Sequence, residues 1–138
     1  MNALRWIAKV GPTTRWLIWI VFLTAWTVAL LTPQPVQFAR EVLPPENVFY
    51  YAKSLHLAAY MVLAMLTGWL LVTYRVRWIC LACLSFHAFA TEFLQQFVER
   101  SGSLRDVGLD HLGLALGLIL TIPWWRPTSG AAVSSDKD

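Results

Sequence analysis

Charge is scarce in this chain. Charged residues make up 14% of its 138 positions, against about 25% in an ordinary soluble domain. A chain so poor in charge has too little polar surface to cover a water-soluble globule of its size. Cysteine is scarce as well. Cys80 and Cys83 sit together in one apolar block, which excludes the disulfide framework of a small secreted domain. Their C-x-x-C spacing has no second ligand pair for zinc and no thioredoxin-like context, so two packing thiols are expected. Nucleophile elbow, phosphate loop and metal-ligand motif are all missing, as is any RNA- or DNA-binding motif. No metal, no cofactor and no nucleic acid is therefore expected. No internal repeat is visible.

What is there is apolar and blocked. Hydrophobic residues reach 57% and the mean hydropathy is +0.53. They fall into four runs, each near the roughly 20 residues a helix needs to cross a bilayer. The spans are expected near 16–31, 55–74, 78–98 and 107–125. The fold class is thus all-α: a polytopic membrane protein with a four-transmembrane-helix bundle. Residues 1–15 read as a basic N-terminal segment and residues 128–138 as a disordered tail. The stretch 32–51 holds Pro33, Pro35, Pro44 and Pro45, which cannot continue a helix interior, so it reads as a loop. Arg75-Val76-Arg77 reads as a tight hairpin link.

Lysine and arginine set the orientation. Arg5, Lys9, Arg15, Arg75, Arg77, Arg126 and Lys137 lie on one side of the spans, and Arg40, Lys53, Arg100 and Arg105 on the other. The seven-residue side is expected to be cytoplasmic, with both termini inside. Trp6, Trp16, Trp19, Trp78, Trp124 and Trp125 gather at the same end, as an aromatic belt does.

Ionisable residues within spans mark function by default. Lys53, His56 and Tyr60 share one helical face at i, i+3 and i+7. Glu92, Gln95, Gln96 and Glu99 share another, followed by Arg100. Asp106, Asp110, Gly113 and Gly117 form a third stripe. By alternation of the spans, these faces meet at one end, the extracytoplasmic one. Each has a plainer reading. Lys53 can snorkel to headgroups, and Asp106, three residues after Ser103, can close a capping box. Glu99 and Arg105 suit a solvated loop, and Gly113 and Gly117 suit small-xxx-small helix packing. Glu92 is harder to dismiss, because a carboxylate that deep needs a cationic partner or a raised pKa. His87, mid-helix, is a candidate supporting group. Lys53, His56 and Arg100 would bind an anion, with Tyr60, Gln95, Asp106 and Asp110 in support. In an enzyme, His56 and Glu92 would be the acid and base. A purely structural partner of other membrane proteins is the third reading.

At these residues the chain resembles the VanZ-like family of small bacterial membrane proteins. Lys53-Ser-Leu-His56-Leu-Ala-Ala-Tyr60 is similar to the family's K-x-x-H-x-x-x-Y. Glu92-Phe-Leu-Gln95-Gln-Phe97, then Arg100, Ser103, Asp106, Asp110, Gly113 and Gly117, resembles its E-x-x-Q-x-F followed by R, S, D, N, G and G. The likeness covers residues 53–117. Ala52 stands where the family usually has an acid, and Asp110 where it often has Asn. The resemblance implies a multi-pass protein of the bacterial cytoplasmic membrane with a cell-envelope role of the kind linked to glycopeptide-antibiotic resistance. Its partners would be membrane lipids or a lipid-linked cell-wall precursor.

Overall fold

The computed structural model describes residues 10–98 and 103–125. The basic residues Arg5 and Lys9, Trp6, Glu99, Arg100, and the tail from residue 126, including Arg126 and Lys137, lie outside the described residues.

All regular structure among the described residues is helical. Five α-helices follow in order: α1 (Pro12–Leu31), α2 (Gln34–Val42), α3 (Pro45–Trp69), α4 (Tyr74–Gln95) and α5 (Leu104–Thr121), then a 3₁₀ turn, Ile122–Trp124. Three of them, α1, α3 and α4, are long and apolar enough to cross a membrane. Helix α5 has 18 residues and carries Arg105, Asp106 and Asp110, which keep it from being counted with them.

The prolines act differently from the sequence expectation. The stretch 32–51 is not a loop. It holds α2 and the first two turns of α3. Pro35 and Pro45 sit in the first turn of their helices, where no amide partner is lost and the fixed φ already suits the helix. Helix α3 therefore starts ten residues before position 55. The hairpin link is also shifted. Helix α4 begins at Tyr74, with the Thr73 hydroxyl accepting from Val76 N at 3.4 Å, so Arg75 and Arg77 lie inside the helix. Ser103 caps α5 by accepting from Arg105 N at 3.2 Å, and Arg105 is likewise helical.

Side-chain pairs fix the directions. Arg15 meets Trp69 and Trp19 meets Thr67, so α1 runs antiparallel to α3. Tyr60 meets His87 and Leu70 meets Arg77, so α4 runs antiparallel to α3. Lys53 meets Asp106 and His56 meets Asp110, so α5 runs parallel to α3. That last contact is backbone-close. A methyl on Gly113 would run into the Leu57 carbonyl, and one on Gly117 into Met61 O and the Ala64 side chain. Only glycine lets two helices approach this far.

The packing is reversed relative to a soluble protein. Leu17, Val21, Phe86, Phe89, Phe93 and Ile119 point outward. His56, Thr67, Thr91, Glu92, Gln95, Asp106, Asp110 and Thr121 are buried. An apolar core of Tyr60, Leu63, Leu84, Ala88 and Leu114 lies between the ends.

Candidate functional site

Because α3 and α5 are parallel and α4 is antiparallel, the starts of α3 and α5 and the end of α4 come to one end of the bundle. Three ionisable pairings and one bond to a backbone amide result. Lys53 forms an ion pair with Asp106. One turn deeper, His56 Nδ1 donates to Asp110 Oδ1 at 2.9 Å. The same Nδ1 lies 3.7 Å from Glu92 Oε1. The other Glu92 oxygen, Oε2, accepts from the Ser103 amide at 2.7 Å. Glu92 thereby ties α4 to the N-terminal cap of α5, where the helix dipole favours an anion.

The site is buried and incompletely partnered. Glu92 is 4% exposed and Asp110 0%. Yet, among the described residues, Glu92 Oε1, Asp110 Oδ2 and Gln95 Nε2 are buried without a hydrogen-bond partner. Trp26 of α1 closes the inner side, its ring edge-to-face with His56 at 5.7 Å.

Deeper still, a second polar chain crosses the core. The Thr27 hydroxyl donates to Leu23 O at 2.7 Å, so it accepts from His87 Nε2 at 2.8 Å. His87 Nδ1 then accepts from Tyr60 OH at 2.8 Å. Each hydroxyl has one proton to give, which fixes this tautomer.

On its outer side the cluster opens into a cavity of about 1170 Å³. Lys53 and His56 of α3, Gln95 of α4, and Ser103, Arg105 and Asp106 of α5 line it. The opposite wall is α2, with Gln37 and Arg40. Lys53 also lies over the Phe49 ring at 5.2 Å.

The structure brings together Lys53, His56, Glu92, Gln95, Asp106 and Asp110. Tyr60 stands one turn below His56 and bonds to His87. Gly113 and Gly117 form the α3–α5 seam below. Gln96 is exposed and lies just past the end of α4. Arg100 falls outside the described residues. Arg40 was not singled out from sequence, because its place on the wall depends on α2. Arg105 is not in the solvated loop that the sequence suggests; it stands on the wall because α5 begins at Leu104. Cys80 is buried and Cys83 exposed, both as free thiols, far along α4 from this end.

The chemical capacity is that of an anion receptor with a buried acid–imidazole floor. His56, Glu92 and Asp110 also offer three ligand atoms within 4.8 Å of one another. Compared with known proteins, the chain matches no protein-family profile, no curated protein and no solved structure.

Proposed function

We propose that this chain is a VanZ-like, four-span protein of the bacterial cytoplasmic membrane that holds an anionic lipid headgroup or lipid-linked phosphate in its end cavity. The single observation that carries this reading is the charge on the cavity wall. Three cations, Arg40, Lys53 and Arg105, face one carboxylate, Asp106. They stand at the end of a bundle whose outer surface is apolar. Arginine offers a planar fork and lysine a point charge, the two usual ways of holding phosphate.

The fourth span in this reading is α5. Its 18 residues reach about 27 Å at 1.5 Å per residue, and the following 3₁₀ turn adds length. Its charges are supported by Lys53 and His56 of α3 rather than by lipid. The lysine and arginine excess at the opposite end favours cytoplasmic termini and an outward-facing cavity. A cell-envelope role, of the glycopeptide-resistance kind, follows from the family resemblance alone.

The test is direct binding. Purified protein in nanodiscs is titrated with phosphatidic acid and with a polyprenyl phosphate. Charge-assisted hydrogen bonds contribute about 1.5–3 kcal/mol each, so Arg105→Ala and Lys53→Ala should each weaken binding by on the order of tenfold or more. Unchanged affinity in both variants would sink the reading.

A second reading is favoured by one contact. Asp110 orients the His56 imidazole at the cavity floor, as a carboxylate orients a general base. Turnover of a lipid phosphate, lost in His56→Ala with binding retained, would establish an enzyme acting on an envelope lipid.

A further inference from the structure

We infer that His56, Glu92 and Asp110 form a binding site for one divalent transition-metal ion, of the zinc or manganese kind. No ligand spacing along the chain points to it, because the three residues come from three helices. The geometry brings them together.

Three observations carry the inference. The first is the donor set. One imidazole nitrogen and two carboxylates suit Zn²⁺ and Mn²⁺ better than Mg²⁺, which prefers oxygen and retained water. The second is distance. Tetrahedral bonds of 2.0–2.1 Å place neighbouring ligand atoms about 3.3 Å apart. His56 Nδ1 lies 2.9 Å from Asp110 Oδ1 and 3.7 Å from Glu92 Oε1. These two values bracket that separation, and all three ligand atoms lie within 4.8 Å of one another, so side-chain rotation has to draw the carboxylates together around the ion. The third is the unpartnered oxygens. Among the described residues, Glu92 Oε1 and Asp110 Oδ2 are both buried with no hydrogen-bond partner, and both side chains are at least nine-tenths buried.

Charge points the same way. Two buried carboxylates sum to −2. The ion-pair partner that the described residues give either of them is His56, which supplies +1 at most. Lys53 is already engaged by Asp106. A divalent ion closes the sum to zero with a neutral imidazole. On binding, the ion takes the place of the Nδ1 proton, which leaves to solvent while Nε2 keeps its own. The outer shell is present too. Ser103 N holds Glu92 Oε2, and a ligand carboxylate fixed in this way is the usual support for a metal. The cavity that His56 lines supplies the entry path. The site does not depend on what that cavity binds.

The experiment uses full-length protein in detergent, stripped with a chelator and dialysed, with no lipid phosphate added. Zn²⁺, Mn²⁺ and Mg²⁺ are titrated calorimetrically, and bound metal is counted by mass spectrometry after gel filtration. One Zn²⁺ or Mn²⁺ per chain is expected, with Mg²⁺ weaker. Asp110→Asn and Glu92→Gln preserve shape and remove a charged ligand. Each should weaken binding by on the order of tenfold or more, with helicity and elution volume unchanged. His111→Ala removes an imidazole whose two nitrogens bond Ser85 and Val107 rather than the three ligand side chains, and it should still bind one ion per chain. No bound ion in the parent chain overturns the inference. So does equal affinity in Asp110→Asn and Glu92→Gln, or loss in His111→Ala alone.

Discussion

At the end of the bundle where α3 stops, two buried arginines donate to main-chain carbonyls. Arg15 Nη1 reaches Trp69 O at 2.7 Å and Arg77 Nη2 reaches Leu70 O at 2.8 Å. These are carbonyls that a helix terminus leaves without partners, and the cations also complement the negative end of the dipole. Each guanidinium lies over an indole, Arg15 on Trp69 and Arg77 on Trp125. At the end where α3 starts, the buried charges are mainly carboxylates, and they face each other across helices. The unpartnered atoms differ accordingly. At the arginine end they are donors: Arg77 Nε, Trp69 Nε1 and Trp125 Nε1. At the carboxylate end, among the described residues, two donors, Trp26 Nε1 and Gln95 Nε2, are joined by two acceptors, Glu92 Oε1 and Asp110 Oδ2. The arginine end closes the helix; the carboxylate end leaves acceptor capacity beside an open cavity. Unsatisfied buried polar groups are unfavourable at either end, but only the carboxylate oxygens are acceptors, and they stand beside an open cavity, which points to binding there.

The α3–α5 seam connects the two ends, and breaking it should have the largest effect. Gly117→Leu puts a side chain where Met61 O and Ala64 already stand. Overpacking of this kind costs about 3 kcal/mol, and here the obstacle is backbone. The variant should unfold at markedly lower temperature in detergent and lose ligand binding with it. Unfolding at the parent temperature would show that the two ends are aligned by something else.

Arg77→Met should come next. It keeps most of the apolar stem but orphans Leu70 O, a loss of about 2 kcal/mol for a hydrogen bond from a charged donor. Thermal unfolding should register it, while titration of a lipid phosphate at the far end should be unchanged. Weakened binding with unchanged stability would erase the distinction between the ends.

The two ends were unequally legible in the sequence. The polar stripes could be read from period alone: Lys53, His56 and Tyr60 are three and four residues apart, and Asp106, Asp110, Gly113 and Gly117 follow the same rhythm. Period assigns a face, however, and not a partner. That His56 pairs with Asp110 depends on α3 and α5 lying parallel at a fixed stagger, which the glycine contacts set, and its approach to Glu92 depends on α4 running antiparallel to α3. The helical nature of 32–51 was obscured because proline counts against a helix interior but favours its first turn. With α2 missing from the sequence reading, Arg40 had no wall to stand on. Arg15 and Arg77 registered only as topology signals, since their acceptors are main-chain carbonyls that sequence does not display.

The smallest expected effect is the most discriminating. Asp110→Asn keeps an oxygen to accept from His56 Nδ1 and removes one of two buried negative charges. In chelator-treated protein it should leave stability unchanged or raise it by about 1 kcal/mol, because uncompensated buried charge is unfavourable. Paired with Arg77→Met, it forms a crossed test: one substitution lowers stability and spares binding, the other spares stability and lowers binding. The measurement is thermal unfolding of both variants with and without Zn²⁺. The parent chain should gain stability from the ion, by mass action on the folded state, and Asp110→Asn should gain little. If Asp110→Asn instead destabilised the metal-free protein by about 3 kcal/mol, the size seen when a needed buried partner is removed, Asp110 would be holding the bundle together as the arginines do. The two ends would then differ in sign of charge but not in purpose.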